Sequence, residues 1–219
     1  MNRIIVFALM FFCMTMQIEA QTLSEEEVTA KMYQAFELNK AAKKAEALEL
    51  FLIVGENTKQ QRNEGERQVY VCSQTMACQC YELLGRYKEG YLLGKSLLQG
   101  KLNDTERKDV GHLYAMNGYM YACEFIQRDE KGRADYKRGR ELISEILPYS
   151  DGQVKEYAET KIPLSWYFEG AQYAMTQSYD EALSSYEEAL NGFRDLGRVS
   201  EEVDVLLSLI HISEPTRLR

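Results

Sequence analysis

Hydrophobic positions recur every three to four residues from Ser24 to Leu206, in stretches that short polar breaks separate. This spacing places apolar side chains on one face of an α-helix and therefore predicts a series of amphipathic helices. Ser24 and Glu27 form a capping-box sequence, which marks the start of the first helix because it satisfies free amide groups there. The alternating apolar and polar pattern of half-buried β-strands does not occur, so we predict an all-α fold.

The polar breaks give the approximate bounds of the predicted helices. They place helices over 24–39, 45–53, 66–84, 89–98, 105–127 and 134–147 and a last complete pair from about 151, with a polar loop over 56–65. Pro148 ends the sixth helix because proline lacks the amide donor that a continuing helix needs. A further helix is expected near Ser200, with Glu201 and Glu202 in its first turn, where carboxylates are favourable.

One segment carries a recognisable repeat pattern. Its residues are Trp166, Gly170 and Tyr173 on a first helix and Ala182, Tyr186 and Ala189 on a second. The spacing resembles the tetratricopeptide (TPR) repeat, a helix–turn–helix of 34 residues, although Glu169 stands at its Leu position and Arg194 at its terminal Pro. Small residues at Gly170 and Ala182 are expected where the two helices cross closely, with the aromatic rings filling the space between pairs.

Fainter copies of this pattern occur upstream. Their packing residues are Ala35, Ala47 and Phe51, then Cys78, Tyr81 and Gly90, then Gly118 and Tyr121. The anchors Ala47 and Gly90 lie 43 residues apart, so these would be TPR-like units with elongated helices. The alternative is an ordinary bundle of amphipathic helices, which folds back on itself and leaves no open groove.

The resemblance covers most of the chain from about Ser24 to Leu206, within a predicted repeat domain of residues 21–206. It implies a right-handed superhelical array of about four antiparallel helix pairs and the start of another. Such TPR-like α-solenoids bind a protein or peptide ligand in a concave groove, so we expect a non-catalytic scaffold that needs no cofactor. The groove positions that we select, on first helices next to the packing residues, are Gln74, Tyr114, Asn117, Glu169 and Gln172. An exported TPR region also resembles the sensor half of bacterial signalling proteins, in which a transmembrane helix and an output domain (a histidine kinase or a helix-turn-helix regulator) follow it.

Both termini differ from the repeat region. Residues 1–20 read as a signal peptide, because Arg3 precedes an apolar run from Ile4 to Phe12 that is too short to span a bilayer comfortably. We therefore expect an exported protein, in the periplasm or another extracytoplasmic space. Residues 207–219 resemble a translated sequencing-library adaptor, so we interpret them as a non-native tail after a truncated repeat region. Contact with a membrane is expected only through the signal peptide or a missing downstream segment.

The charge distribution argues against a nucleic-acid ligand. The chain has 26 basic and 34 acidic residues and a formal net charge of −8, whereas nucleic-acid binders normally present a basic face. The densest basic group consists of Arg133, Lys137, Arg138 and Arg140. Acidic residues are interleaved with it, which is typical of a solvated helix face.

The residues that catalysis would require are sparse. His112 is the only histidine before the adaptor-like tail, and a lone histidine on a helix has no partner for nucleophilic catalysis. Adjacent carboxylates such as Glu187 and Glu188 are more simply explained as exposed helix faces. The sequence contains no metal-ligand spacing, and we do not expect an enzyme.

Two interpretations of the cysteines remain open. The residues between the expected signal peptide and tail are Cys72, Cys78, Cys80 and Cys123. Cys78 occupies a small-residue position of its repeat, which favours a buried apolar thiol. Because an exported protein can be oxidised, the alternative is a disulfide from Cys78 or Cys80 to Cys123.

Overall fold

The computed structural model describes residues 23–127 and 134–213, and every regular element in these residues is helical. The predicted all-α class is therefore confirmed for this part of the chain. The helices are α1 (Glu25–Lys40), α2 (Lys44–Thr58), α3 (Glu64–Leu83), α4 (Tyr87–Leu98), α5 (Asp104–Ile126), α6 (Tyr136–Ile146), α7 (Gly152–Met175), α8 (Tyr179–Asp195) and α9 (Val199–Ser213). A short 3₁₀ helix, Leu147–Tyr149, follows α6 and contains Pro148. The expected signal peptide lies outside the described residues.

Most predicted bounds agree with the structure to within a few residues. The largest difference is the loop expected over 56–65, because α2 continues to Thr58 and α3 already begins at Glu64. Helix α7 also continues through Pro163, whose ring is buried. Proline inside a helix removes one hydrogen bond, and burial against neighbouring side chains offsets part of that cost.

The chain divides into two compact units, Met1–Ser73 and Gln74–Arg219. In the first unit α1 packs on α2, and the connection between them is so short that the helices run antiparallel. Ala35, Ala47 and Phe51 are fully buried at their contact, where small side chains let the helix backbones approach. The ring of Phe36 meets Phe51 edge to face, with the ring centroids 5.5 Å apart.

The second unit contains two hydrophobic clusters. The first is formed by α4, α5, α6 and the start of α7, with the side chains of Leu142, Ile143 and Ile146 at its centre. The second is formed by α8 and α9 with part of α7 and includes Tyr186 and Phe193. Both clusters join helices that are adjacent in sequence, which is the contact pattern of successive helix hairpins.

Two helix starts carry reciprocal capping boxes. The amide of Glu27 donates to Ser24 Oγ at 3.2 Å, and Glu27 Oε2 accepts from the amide of Ser24 at 2.8 Å, as the sequence predicts. The same arrangement joins Asn103 and Glu106 at the start of α5. Two of the amide groups that a helix start leaves unpaired are satisfied in each case.

Four of the helix connections have the same backbone geometry. A single residue with a left-handed φ follows the helix at Ala42 (60°), Gly85 (70°), Gln177 (62°) and Gly197 (65°). In each turn this residue donates to the carbonyl three positions back, and the next residue donates to the carbonyl five positions back. These paired bonds are the Schellman motif, which satisfies carbonyls at a helix end while it reverses the chain.

The residues of the repeat pattern lie mainly in the interior. Those that are buried are Ala35, Ala47, Phe51, Cys78, Tyr81, Gly90, Gly118, Gly170, Ala182, Tyr186 and Ala189, while Tyr121, Trp166 and Tyr173 are half-buried. The close crossing expected at Gly170 is present, because a Cβ there would lie 2.8 Å from Tyr186 Cδ1. A larger residue at this position would push α7 and α8 apart.

Helix α9 begins at Val199, close to the predicted start, with Glu201 and Glu202 in its first turn. It includes residues 207–213 of the segment that we interpret as non-native. Its Val205 is fully buried against α8, and Leu209 packs partly on the same cluster. The opposite face exposes Val203, Leu206, Leu207 and Ile210. One face of α9 is therefore packed and the other is exposed.

The repeated turns make a prediction about stability. Ala42 holds a left-handed φ that costs a residue with a Cβ about 1 kcal/mol more than glycine, so Ala42→Gly should raise the free energy of unfolding by about that amount. Gly85→Ala should lower the free energy of unfolding by a similar amount. No atom lies within 4 Å of the added Cβ, so the only cost is that of the left-handed φ. Urea unfolding of the full chain measures both changes.

Ala30→Gly is the control, since Ala30 is exposed within α1 and glycine there loses helix stability. If Ala42→Gly were as destabilising as Ala30→Gly, the strain assigned to this turn would be wrong.

Candidate functional site

Three of the groove residues selected from the sequence lie in the interior of the second unit. Gln74, Tyr114 and Asn117 are 6%, 2% and 0% exposed. Neighbouring helices cover these polar first-helix side chains, so they are not available to a ligand at the surface. This burial corrects their assignment to an open groove.

Asn117 holds helices α3 and α5 together. Its side-chain amide donates to the carbonyl oxygens of Leu113 at 2.9 Å and Cys78 at 3.3 Å. Its Oδ1 is buried beside Gly90 and has no hydrogen-bond donor among the described residues. The absence of a side chain at Gly90 is what leaves room for the asparagine.

Tyr114 belongs to a polar cluster centred on Glu145 of α6. The Glu145 carboxylate accepts hydrogen bonds from Tyr114 at 2.6 Å and Tyr91 at 3.0 Å and pairs with Lys95 at 2.7 Å. The rings of Tyr91 and Tyr114 stack with centroids 5.3 Å apart. Burial would raise the pKa of Glu145, but the hydrogen bonds from Lys95, Tyr114 and Tyr91 outweigh it and hold that pKa below its usual value.

Glu169 belongs to a second cluster, between α6 and α7. The Arg140 guanidinium stacks on the Trp166 ring, 3.4 Å from its centroid, and pairs with Glu169 at 2.7 Å. Arg140 also donates to Ser165 Oγ at 3.3 Å and is 9% exposed. The repeat-signature tryptophan thus packs against a buried cation, and Glu169 neutralises that cation.

Gln172, the last of the selected groove positions, is half-buried on α7. Its Oε1 is buried without a hydrogen-bond partner in the described part of the chain. None of the five selected residues is therefore fully exposed.

The four cysteines form no disulfide in the structure. Cys78, Cys80 and Cys123 are buried and Cys72 is exposed. Burial raises the pKa of the Cys78 thiol to about 12, so it is protonated at neutral pH and a poor nucleophile. Its Sγ lies 3.8 Å from the carbonyl oxygen of Gly90, which agrees with the interpretation as a small packing residue.

A cleft lies along α1 in the first unit, between this helix and the beginning of α3. Its apolar part has a volume of about 250 Å³ and is lined by Val28, Thr29, Met32, Tyr33, Phe36 and Val69. A polar part of about 300 Å³ adjoins it, with Leu23, Glu25, Asn57, Thr58, Arg62, Asn63, Gly65 and Glu66 in its lining. Val28, Thr29 and Val69 line both parts, so the two are continuous.

Hydrogen bonds fix the walls of the polar part. The amide of Leu23 donates to Asn57 Oδ1 at 2.9 Å, which holds the residue before the α1 cap against α2. Asn63 caps α3 by accepting from the amide of Glu66 at 2.8 Å. Both the side chain and the backbone amide of Arg62 donate to the Glu66 carboxylate. These hydrogen bonds, chiefly the one from the side chain, hold the pKa of Glu66 below its usual value.

Tyr33 is the most accessible aromatic group of this cleft. Its side chain is 71% exposed, whereas Met32 and Phe36 beside it are half-buried. Tyr33 is not among the groove positions predicted from the sequence, because those positions include only residues next to the repeat anchors. The available signal was an aromatic residue on α1 that lies off the stripe formed by the buried Val28 and Ala35.

The described residues, 23–127 and 134–213, contain no helix with the length and apolar composition that crossing a membrane requires. In the same residues, no group of three or more histidine, cysteine, aspartate or glutamate side chains is placed to hold a metal ion.

No protein-family model matches the chain, and a search of curated proteins also finds no match.

The Arg140 cluster predicts that lysine cannot replace this arginine. Arg140→Lys loses the planar stack on Trp166 and the forked contact with Ser165 and Glu169, so we expect the free energy of unfolding to fall by about 1–2 kcal/mol. Arg138→Lys on the same helix is the matched control, because its pair with Glu141 is solvent-exposed and should change by less than about 0.5 kcal/mol. Equal effects of the two substitutions, measured by urea unfolding, would contradict the assigned role.

The Glu145 cluster predicts a pH dependence. Because the pKa of Glu145 is lower in the folded chain than its ordinary 4.5, its stabilisation is present above that pH and is lost as the pH falls through the folded-state pKa. Glu145→Gln should therefore be less stable than the unsubstituted chain at neutral pH, and the difference should shrink in acid. Unfolding midpoints measured from neutral to acidic pH test this prediction, with the exposed Glu141→Gln as the control variant. A difference that did not change with pH would refute the electrostatic assignment.

Proposed function

We propose that this protein is a non-catalytic scaffold of TPR-like helix pairs that binds a peptide or protein segment in the cleft along α1, and that it acts after export. The observation that carries the proposal is the cleft itself, an open apolar trough with an exposed tyrosine and a polar continuation. Binding sites commonly combine an apolar wall with a few placed polar groups.

The repeated turns support the array. The left-handed residues Ala42 and Gly85 follow the first helices of two successive pairs and lie 43 positions apart, the same interval as the anchors Ala47 and Gly90. Gln177 occupies the equivalent place in the pair that carries the clearest TPR pattern. A turn of the same geometry in corresponding places of several helix pairs favours a repeat architecture over an irregular bundle.

The position of the cleft supports ligand binding by such an array. It is lined chiefly by α1 and α3, the first helices of two successive pairs. In a TPR-like array these helices present side chains to the concave face, as the sequence resemblance implies. The residues that would contact a ligand therefore differ from those that we first selected, although the kind of helix is the same.

The dimensions of the cleft suit a short extended segment. From Glu25 to Phe36 the helix rises about 16 Å at 1.5 Å per residue. An extended peptide covers this length with about five residues at 3.3 Å each. The described lining offers hydroxyl, amide and carboxylate groups for backbone hydrogen bonds, and contains neither histidine nor cysteine.

A displayed library of random twelve-residue peptides, selected on the full chain, tests this function. We expect enriched peptides whose affinity falls roughly five- to tenfold when Tyr33→Ala removes the exposed ring from the cleft, as for an aromatic contact at the centre of an interface. Because Tyr33 is mostly exposed, the substitution should leave the unfolding midpoint nearly unchanged.

Tyr179→Ala is the matched control. Tyr179 is 42% exposed on α8 and is not part of the cleft, so its loss should leave affinity unchanged. Peptides that bind the Tyr33→Ala chain as tightly as the original would show that the cleft is not the binding site.

A further inference from the structure

The apolar part of the cleft has the form of a pocket for one side chain. Met32, Phe36 and Val69 form its wall, and Tyr33 stands at its edge. Phe36 is held by its edge-to-face contact with Phe51, so this wall is anchored in the helix interface. A large apolar or aromatic side chain would bury most of its surface here, which is the usual basis of an anchor residue.

Two carboxylates lie at the other end of α1. Glu25 and Glu26 are exposed beside Thr29, Ala30 and Tyr33, and neither forms an ion pair with any residue that the structure describes. They belong to the first turn of the helix, where the helix dipole supplies about half a positive charge and offsets part of their negative charge. Since Glu27 adds a third carboxylate to the same turn, this end remains negative.

The cation of the cleft does not compensate these carboxylates. Arg62 is already paired with Glu66, through its Nε at 3.0 Å and a terminal nitrogen at 2.9 Å. The pair is neutral as a unit, so the net charge facing a ligand comes from Glu25 and Glu26. An acidic ligand would be repelled here, and a basic one attracted.

The spacing between the two features sets the form of the ligand. Glu25 and Glu26 precede Tyr33 by about two helical turns, which is about 10–12 Å along the helix axis. An extended peptide covers that distance in about three residues. We infer that the cleft recognises a segment in which an apolar or aromatic residue is separated by about three positions from a lysine or arginine. This inference rests on the proposed function, because it names the ligand class of the same cleft.

A symmetric synthetic peptide tests the inference in either chain direction. The probe Lys-Ser-Gly-Phe-Gly-Ser-Lys, blocked at both ends, is titrated into the full chain and followed by amide chemical shifts. Its partners replace both lysines by glutamine or by glutamate, or the phenylalanine by serine. We expect the lysine peptide to bind about three- to tenfold more tightly than the glutamine peptide, the glutamate peptide to bind most weakly, and the serine peptide not to bind.

Charge removal provides the matched control. In the double variant Glu25→Gln with Glu26→Gln the lysine and glutamine peptides should bind equally, while binding of the glutamine peptide persists. Glu187→Gln with Glu188→Gln removes two adjacent exposed carboxylates from α8 and should preserve the preference. The preference should also weaken as ionic strength rises from about 0.01 M to about 1 M.

The outcomes separate the two proposals. Equal binding of the lysine, glutamine and glutamate peptides, lost with Tyr33→Ala, would leave the peptide-binding function in place and overturn the basic-ligand inference. A preference for the glutamate peptide would also overturn it. If no phenylalanine peptide bound, or if Tyr33→Ala had no effect on binding, the function assigned to this cleft would fall together with the inference.

Discussion

The fold depends on reversing the chain direction within a few residues without leaving helix carbonyls unpaired. The Schellman turns after α1, α3, α7 and α8 meet this requirement with one left-handed residue each. Because the connection is so short, the next helix must pack directly on the one before it, and small residues such as Ala35 and Ala47 appear at the contact. The helix hairpins, and with them the position of the cleft along α1, follow from this local geometry.

Much of the local structure could be predicted from the sequence. The hydrophobic period identifies the helices, Ser24 and Glu27 mark the first start, and the repeat pattern predicts a close helix crossing at Gly170. These features depend on residues near one another in sequence or on one helix pair. The left-handed turn at Ala42 escapes notice because alanine has no special preference for that conformation.

The candidate site was harder to predict because exposure depends on which helices meet. A polar residue on a first helix can face a ligand or a neighbouring helix, and spacing alone does not distinguish the two. Asn117 and Tyr114 both face neighbouring helices. Asn117 donates to the backbone carbonyl of Cys78, and the Tyr114 hydroxyl donates to Glu145. Tyr33, which lies outside the repeat pattern, remains at the surface. Only the three-dimensional contacts assign these roles.

The contact between Gly90 and Asn117 has a consequence for how the sequence can diverge. The two residues share one space, since a Cβ at position 90 would overlap the Asn117 side chain. A larger residue at position 90 is therefore compatible with the fold only if position 117 becomes smaller, and the carbonyl of Cys78 then loses a donor. Substitutions at the two sites should be inherited as pairs, so related sequences would reveal this contact as a correlated exchange of volume.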